Sequence, residues 1–258
     1  MKNLLFIFNA ILLFSSCEKD NIEYDDSALV KQVFFDSELI YEYSYNGGQI
    51  TEEKSKYYFT RYNYNGSRLI SCDHYVDTRI FSSNSSVLDL VRDREEWVNP
   101  QNTLKNSTMT YYYGKNSRLI KSSNSDTKYS LYSYDIDSRI SRQTFYNNQK
   151  RSGYIDYLYD EKGNIIKKLH YFVSDSGAPT LQTTTEYEFD NKHNPFRVFS
   201  TFITTGLHTN CNNITKEIYT LHFEVDPFVD KVQVTENVYE YNRLGYPVRK
   251  NKTIEYRY

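Results

Sequence analysis

A short pattern of aromatic, polar and aliphatic positions recurs along most of the chain. Each copy has two aromatic residues spaced by one position, then a run of polar residues, and then an aliphatic residue that begins the next apolar segment. Alternation with a period of two is typical of β-strands, and a polar break between two such segments is typical of a hairpin turn. The second aromatic residue of each copy lies at positions 45, 64, 113, 134, 159, 189 and 241.

The first two copies have an Asn-Gly pair in the break, Asn46-Gly47 and Asn65-Gly66. Both central residues of a type I′ turn need φ > 0, which asparagine and glycine tolerate best. Asn-Gly between alternating segments is therefore a strong hairpin signal, and we predict a tight turn at each pair.

The other five copies have a turn one residue longer. Such a turn is closed by a residue in the left-handed conformation, and Gly163 and Gly245 stand at that position in two copies. Ser117, Ser138 and His193 occupy the same position in the remaining copies, where a left-handed backbone costs more. Those three turns are the weaker part of the prediction.

An acidic or amide residue opens most of these turns. In the stretch YLYDEKGNIIKK at 157–168, Asp160 and Gly163 resemble part of an ion-binding loop. A short Asp or Asn side chain also bonds its own backbone two residues on, so the position needs no ligand. We interpret Asp160 as a turn residue.

The spacing between copies predicts the fold class. The shorter gaps between anchor positions, 19, 21, 25 and 30 residues, each accommodate a returning strand, a second turn and an outgoing strand. We therefore predict an all-β protein, an antiparallel meander of successive hairpins in one large curved sheet, open or partly closed. The longer gaps of 49 and 52 residues hold further hairpins or an insertion, and a short helix is predicted at 86–98.

The C-terminal segment Lys250 to Tyr258 alternates charged and aromatic residues. Its cations would discourage pairing between sheet edges, so we predict an edge strand. If the sheet closes, the same segment would instead pair with an N-terminal strand near Val33.

Residues 1–16 have the features of a secretion signal. One lysine precedes an apolar run from Leu4 to Phe14, which is too short to cross a bilayer of ~30 Å as a helix. The junction Ser15-Ser16-Cys17 resembles a bacterial lipobox, which makes Cys17 the predicted lipid attachment site. The alternative is an ordinary signal peptide with a coincidental cysteine.

Residues 17–29 are acidic and lack apolar periodicity, so we predict a flexible tether, followed by a single domain at 30–258. An acidic stretch with a lysine directly after the lipidated cysteine resembles the surface-export signal of Bacteroidota lipoproteins. We therefore expect an outer-membrane lipoprotein that is displayed at the cell surface, with periplasmic retention as the alternative.

The repeat itself resembles the YD-type, Rhs-like repeats of bacterial surface proteins. Over residues 38–258 the chain resembles Bacteroidota lipoproteins of unknown function. The most specific segments are YEFD at 187–190, NPF at 194–196, NNITK at 212–216, YEYN at 239–242 and GYP at 245–247. The resemblance implies a curved antiparallel sheet and provides no activity or catalytic residues to transfer.

Composition and charge restrict the classes of partner that the protein could bind. The 27 tyrosines supply apolar faces with polar tips, and the formal net charge of -2 with interspersed signs argues against a nucleic-acid partner. Cys72 and Cys211 could form one disulfide in an oxidising compartment or remain two free thiols, and the sequence leaves both alternatives open.

No motif for catalysis or cofactor binding stands out. The five histidines form no metal-binding helical pair, and His208 with Cys211 supplies only half of a zinc site. Carboxylate pairs occur at 95–96, 156 with 160, and 186 with 188, each explained by strand or turn positions. A Cys-His pair stays open. We expect no cofactor, no metal and no enzymatic activity.

The function predicted from the sequence is a non-catalytic surface lipoprotein that presents a tyrosine-rich sheet to a glycan or a partner protein. Exposed aromatic patches commonly mark interaction sites. The main alternative is a scaffold or spacer without a small ligand. A carbohydrate-active enzyme and a part in a toxin or effector system are weaker alternatives.

Overall fold

A computed structural model describes residues 29–78, 98–197, 209–223 and 229–258. The predicted signal peptide and tether lie outside these residues, apart from Leu29, and so does the predicted helix at 86–98, apart from Val98. The described residues form 17 antiparallel strands and one turn of 3-10 helix at Pro100–Asn102.

The strands have the following bounds: β1 Gln32–Phe35, β2 Glu38–Asn46, β3 Gln49–Lys54, β4 Tyr58–Asn65, β5 Arg68–Asp77, β6 Thr103–Tyr113, β7 Leu119–Ser123, β8 Lys128–Tyr134, β9 Ile140–Asn147, β10 Lys150–Tyr159, β11 Ile165–Val173, β12 Pro179–Phe189, β13 Ile214–Leu221, β14 Lys231–Glu236, β15 Tyr239–Tyr241, β16 Pro247–Lys250 and β17 Ile254–Arg257.

One meander contains all of these strands, so the predicted fold class is confirmed. Strands β2 to β14 pair in chain order, each antiparallel to the next. Strands β15, β16 and β17 continue the sheet on the other side of β1, which pairs with both β17 and β2. Within the described part of the chain no ladder joins β14 to β15, and the sheet is open between them.

The prediction that the C-terminal segment is an edge strand is wrong. Strand β17 lies between β16 and β1, and Tyr256 is the partner of Val33 in the ladder. Both residues belong to a buried apolar cluster with Tyr43 and Ile50. Burying these side chains outweighs the cations of the segment, of which Lys252 and Arg257 remain exposed and Lys250 is half-buried.

The two faces of the sheet differ in burial. The ladders place the paired tyrosines of every copy on one face, which we call the tyrosine face; Tyr43, Tyr132 and Tyr157 are buried there. The opposite face has cross-strand ion pairs such as Lys167 with Glu186 at 3.0 Å. The first tyrosine is therefore buried in three copies and half-buried in the other four.

The longer turns adopt the backbone that the sequence pattern predicts. Gly163 and Gly245 have φ values of 84° and 83°, and Ser117 and Ser138 have 56° and 67°. His193 is the exception among the described turns. It has no positive φ, and its ring stacks on Tyr246 with the centroids 4.9 Å apart.

The two shorter turns lie one residue later than predicted. The two-residue loops are 47–48 and 66–67, because the asparagine before each loop still belongs to the ladder. The ladder-closing pairs are Asn46 with Gln49 and Asn65 with Arg68. Gly47 and Gly48 both have positive φ, and two glycines adopt this backbone more readily than Asn-Gly.

The sixth copy is not a tight hairpin. Strand β12 ends at Phe189, and its partner β13 begins only at Ile214, with Phe189 opposite Ile214. In each copy we call the residue that begins the next apolar segment the restart residue. The sequence pattern places it at Pro195 in the sixth copy, but Pro195 lies in the long connection between β12 and β13. Residues 78–102 form a similar long connection between the adjacent strands β5 and β6.

Candidate binding groove at the turn end of the repeats

In the middle of the sheet, the second tyrosine of a copy is fixed by a hydrogen bond to the preceding copy. In three consecutive copies its hydroxyl donates to the backbone carbonyl of the aliphatic restart residue, always at 2.7 Å. The pairs are Tyr113 with Leu69, Tyr134 with Leu119, and Tyr159 with Ile140. This bond sets the register between neighbouring copies at the end of the sheet where the turns lie.

An arginine directly precedes each of those restart residues and lies over the same tyrosine ring. The guanidinium carbon is 5.0 Å from the ring centroid for Arg68 on Tyr113, 5.3 Å for Arg118 on Tyr134 and 4.8 Å for Arg139 on Tyr159. Cations at this distance are attracted by the negative face of the ring. We call these three residues the arginine row.

The members of the row differ in how their charge is balanced. Arg139 forms ion pairs with Asp135 and Asp137, both at 2.8 Å. Arg68 and Arg118 instead donate to the hydroxyl groups of turn serines, Arg68 to Ser117 at 2.7 Å and Arg118 to Ser138. Within the described residues, neither Arg68 nor Arg118 has a carboxylate partner, and both side chains are exposed.

The arginine row lies along a cavity of about 900 Å³ at the turn end of the sheet. Among the described residues, its lining includes Arg197 and Lys162 besides the row, and the acidic side chains Asp137 and Glu161. With Asp135, which pairs with Arg139 from outside the lining, the described residues set five cations against three carboxylates, and this excess of positive charge suits an anionic ligand.

The groove ends where an asparagine replaces the arginine of the row. Asn164 precedes the restart residue Ile165, and its side-chain oxygen accepts from the backbone N–H groups of Cys211 and Asn212 at 2.8 and 3.0 Å. Its amide donates to Asp160 at 2.9 Å. The stretch at 157–168 is therefore a hairpin turn that also holds the 209–213 segment against the sheet.

Cys72 and Cys211 are not joined by a disulfide. Cys72 is buried on the tyrosine face, and Cys211 lies at the groove, where its sulfur donates to the carbonyl of Lys162 at 3.0 Å. Cys72 is 3.6 Å from His74 between sulfur and Nε2, and 3.5 Å from the hydroxyl of Tyr111. Burial raises the pKa of the Cys72 thiol and lowers the pKa of His74. Both shifts favour the neutral pair over the thiolate and imidazolium that nucleophilic catalysis needs.

The carboxylate pairs noted in the sequence do not converge where the structure describes them. Asp156 pairs with Arg142 at 2.5 Å, Glu188 pairs with Lys216 at 3.1 Å, and Asp160 caps its turn. The pair at 95–96 and His208 lie outside the described residues. Among the residues that are described, no three His, Cys, Asp or Glu side chains gather as metal ligands.

No helix in the described ranges has the length and apolar character to cross a membrane.

Comparison with known proteins gives only remote structural neighbours. No protein-family model matches the chain, and no curated protein matches its sequence. A porin-like protein from Bacteroides uniformis has 11% identity and a TM-score of 0.40, covering 88% of this chain and 96% of that chain. A protein of unknown function from Bacteroides fragilis has 11% identity and a TM-score of 0.22, covering 70% and 93%.

A third neighbour is the Tc holotoxin pore of Photorhabdus luminescens, with 17% identity and a TM-score of 0.33. The match covers 82% of this chain but 11% of the toxin chain. The chain therefore corresponds to about a tenth of the length of that protein.

Proposed function

We propose that the protein is a non-catalytic surface lipoprotein that binds an anionic glycan along the arginine row. One observation carries the proposal: Arg68 and Arg118 are exposed in a large groove, and no described carboxylate neutralises them. A guanidinium group binds carboxylate or sulfate groups through two parallel hydrogen bonds, so each arginine can contact one acidic group of a ligand.

The geometry of the repeat favours a ligand that is itself periodic. The restart strands β5, β7 and β9 are two strands apart, which places successive members of the row roughly 10 Å apart. An extended acidic polysaccharide with one anionic group per disaccharide has a comparable period. We therefore propose such a polysaccharide as the ligand class.

In this proposal the tyrosines position the arginines and do not stack on sugar rings. A guanidinium covers one face of Tyr113, Tyr134 and Tyr159, and the hydroxyl of each ring is bonded to the backbone. Serine and ring contacts join Arg68 and Arg118 to neighbouring copies, but neither guanidinium group has a carboxylate partner among the described residues. This supports the binding of an anion over a purely structural role.

The proposal is tested by measuring the affinity of the full chain for hyaluronan, which has one carboxylate per disaccharide, and for neutral dextran. We expect binding to hyaluronan only, with an affinity that falls as salt is raised. The double variant Arg68→Gln with Arg118→Gln should weaken binding at least tenfold. Arg151→Gln is the matched control, because Arg151 is exposed near the start of β10, at the other end of the sheet.

Two results would contradict the proposed glycan site: equal binding to dextran, or hyaluronan binding that the double variant leaves unchanged. Thermal unfolding of each variant shows whether the fold is retained. Hyaluronan binding that Arg151→Gln weakens equally would indicate diffuse attraction by surface charge.

The proposed location is tested separately. Cys17→Ala should move the protein from the membrane fraction to the soluble fraction, and a protein that stays with the membrane would refute the lipid anchor. Surface display predicts that protease added to intact cells degrades the protein.

A further inference from the structure

A second, smaller cavity lies where the two ends of the sheet come together. It has a volume of about 320 Å³ and is lined from one side by β11, β12 and β13 and from the other by β15, β16 and β17. It is distinct from the arginine groove, because the two linings share no residue. The lining also includes Asn237, in the short connection between β14 and β15.

One buried donor in the lining has no partner. The side chain of Asn210 is 1% exposed, and its oxygen accepts from the backbone N–H of Ile165 at 2.8 Å. That bond fixes the orientation of the amide. If the amide were flipped, its NH2 group would face the backbone N–H of Ile165, and two donors would meet without an acceptor. Among the residues that the structure describes, Nδ2 then has no hydrogen-bond partner, although a buried amide without a partner costs about 1–3 kcal/mol.

The charged groups of the lining are also incompletely paired. Lys168 and Lys250 lie in the cavity wall with Glu217, and within the described residues none of the three side chains has a hydrogen bond or an ion pair. Each ammonium instead lies near a ring, Lys168 5.0 Å from the centroid of Tyr187 and Lys250 5.9 Å from that of Tyr239. Burial lowers the pKa of both lysines, and the Glu217 carboxylate opposes that shift.

The charges and hydrogen-bond donors of these groups indicate the class of ligand that the cavity would bind. Two ammonium groups and one carboxylate leave one positive charge to balance, and the free amide of Asn210 adds a further donor. We propose that the cavity binds a small organic carboxylate that also has a hydroxyl or ammonium donor. Lys168, Lys250 and Asn210 contact the ligand carboxylate, and Glu217 accepts from the ligand's donor.

The size of the cavity agrees with this class. A volume of 320 Å³ corresponds to about ten water molecules at the ~30 Å³ that each occupies in the liquid. A monosaccharide acid or an amino acid fits this space, which is about a third of the volume of the arginine groove. The site is therefore separate in ligand as well as in position from the proposed glycan groove, and either proposal can fail without the other.

The test is isothermal titration calorimetry of the full chain with D-glucuronate, L-glutamate and D-glucose. Glucuronate and glutamate have a carboxylate with hydroxyl or ammonium donors, and glucose has the ring without the carboxylate. We expect at least one of the two acids to bind and glucose not to bind. Lys168→Met and Lys250→Met should each weaken the binding of that acid at least tenfold.

Lys167→Met is the matched control, because Lys167 is adjacent in sequence but pairs with Glu186 on the opposite face. It should leave the affinity unchanged. The proposal is overturned if neither acid binds the folded wild-type chain at millimolar concentration, which would leave a cavity filled by water alone. It is also overturned if the acids bind equally well to Lys168→Met, Lys250→Met and Lys167→Met, with circular dichroism showing that all three are folded.

Discussion

Asn213 donates both its backbone N–H and its side-chain amide to the carboxylate of Asp190, each at 3.0 Å, although 23 residues separate the two. Asn164 forms the same pair of bonds with Asp160, at 2.8 and 2.9 Å, from only four residues away. The sixth copy is therefore a complete repeat whose turn is split by residues 191–212. The segment NI at 213–214 takes the place of NI at 164–165.

The first prediction concerns this split turn. Asn213→Ala should destabilise the protein by about 1–3 kcal/mol, because Asn213 is buried and Asp190 loses a hydrogen-bond donor. Urea denaturation followed by circular dichroism measures the change. Asn191→Ala is the control, since Asn191 is an exposed residue of the same insertion and should change the stability little. Equal stability of the two variants would contradict the pairing.

The meander could be predicted from the sequence because its evidence is local. A period of two places the tyrosines of each copy on one face, and glycine at 163 and 245 marks a left-handed turn. The split sixth copy could not be predicted, because the bond between Asp190 and Asn213 depends on a chain reversal with no local signal. Its signal in the sequence is the NI dipeptide, which occurs at 164–165 and again at 213–214. The segment NPF at 194–196 offers an alternative position for the restart residue.

In the arginine groove, too, some residues have a local sequence signal and others depend on contacts between distant parts of the chain. The aromatic pairs of the repeat are evident in the sequence, whereas the sequence alone does not mark the arginines as functional residues. Their signal was present as Arg-Leu or Arg-Ile at three successive restarts, 68–69, 118–119 and 139–140. Only the pairing of neighbouring copies shows that each arginine lies over the tyrosine of the next copy.

A second prediction tests the bond between copies. Tyr134→Phe removes the hydroxyl that donates to the carbonyl of Leu119, and we expect a loss of about 1 kcal/mol in the free energy of unfolding. Tyr112→Phe is the matched control, because Tyr112 is 46% exposed and lies on the opposite face. If both variants unfold at the same urea concentration, the hydrogen bond from the tyrosine hydroxyl to the neighbouring copy does not stabilise the sheet.

A third prediction concerns the turn at 160–164. Gly163→Val should destabilise by about 1–3 kcal/mol, because a β-branched residue is strained at a φ of 84°. An added Cβ would meet only the sulfur of Cys211 at 4.0 Å, so the strain comes from the backbone and not from a clash. Gly163→Asn should retain more stability, since asparagine tolerates this backbone. A loss of ligand binding in Gly163→Val at unchanged stability would contradict the turn interpretation.

In the loop between β9 and β10, we expect a substitution to raise the free energy of unfolding. Its two residues, Asn148 and Gln149, have φ values of 49° and 63°, the sign pattern of a type I′ turn. Glutamine is a poor residue for that backbone, and Gln149 is exposed, so its side chain has little packing to lose.

Gln149→Gly creates the Asn-Gly pair that this turn favours, and we expect the free energy of unfolding to rise by about 0.5–1 kcal/mol. Asn148→Gly should change it less, because asparagine already tolerates a left-handed backbone. Urea midpoints of the two variants against the wild type measure the difference. A lower midpoint for Gln149→Gly would show that the loop does not have the type I′ backbone in solution.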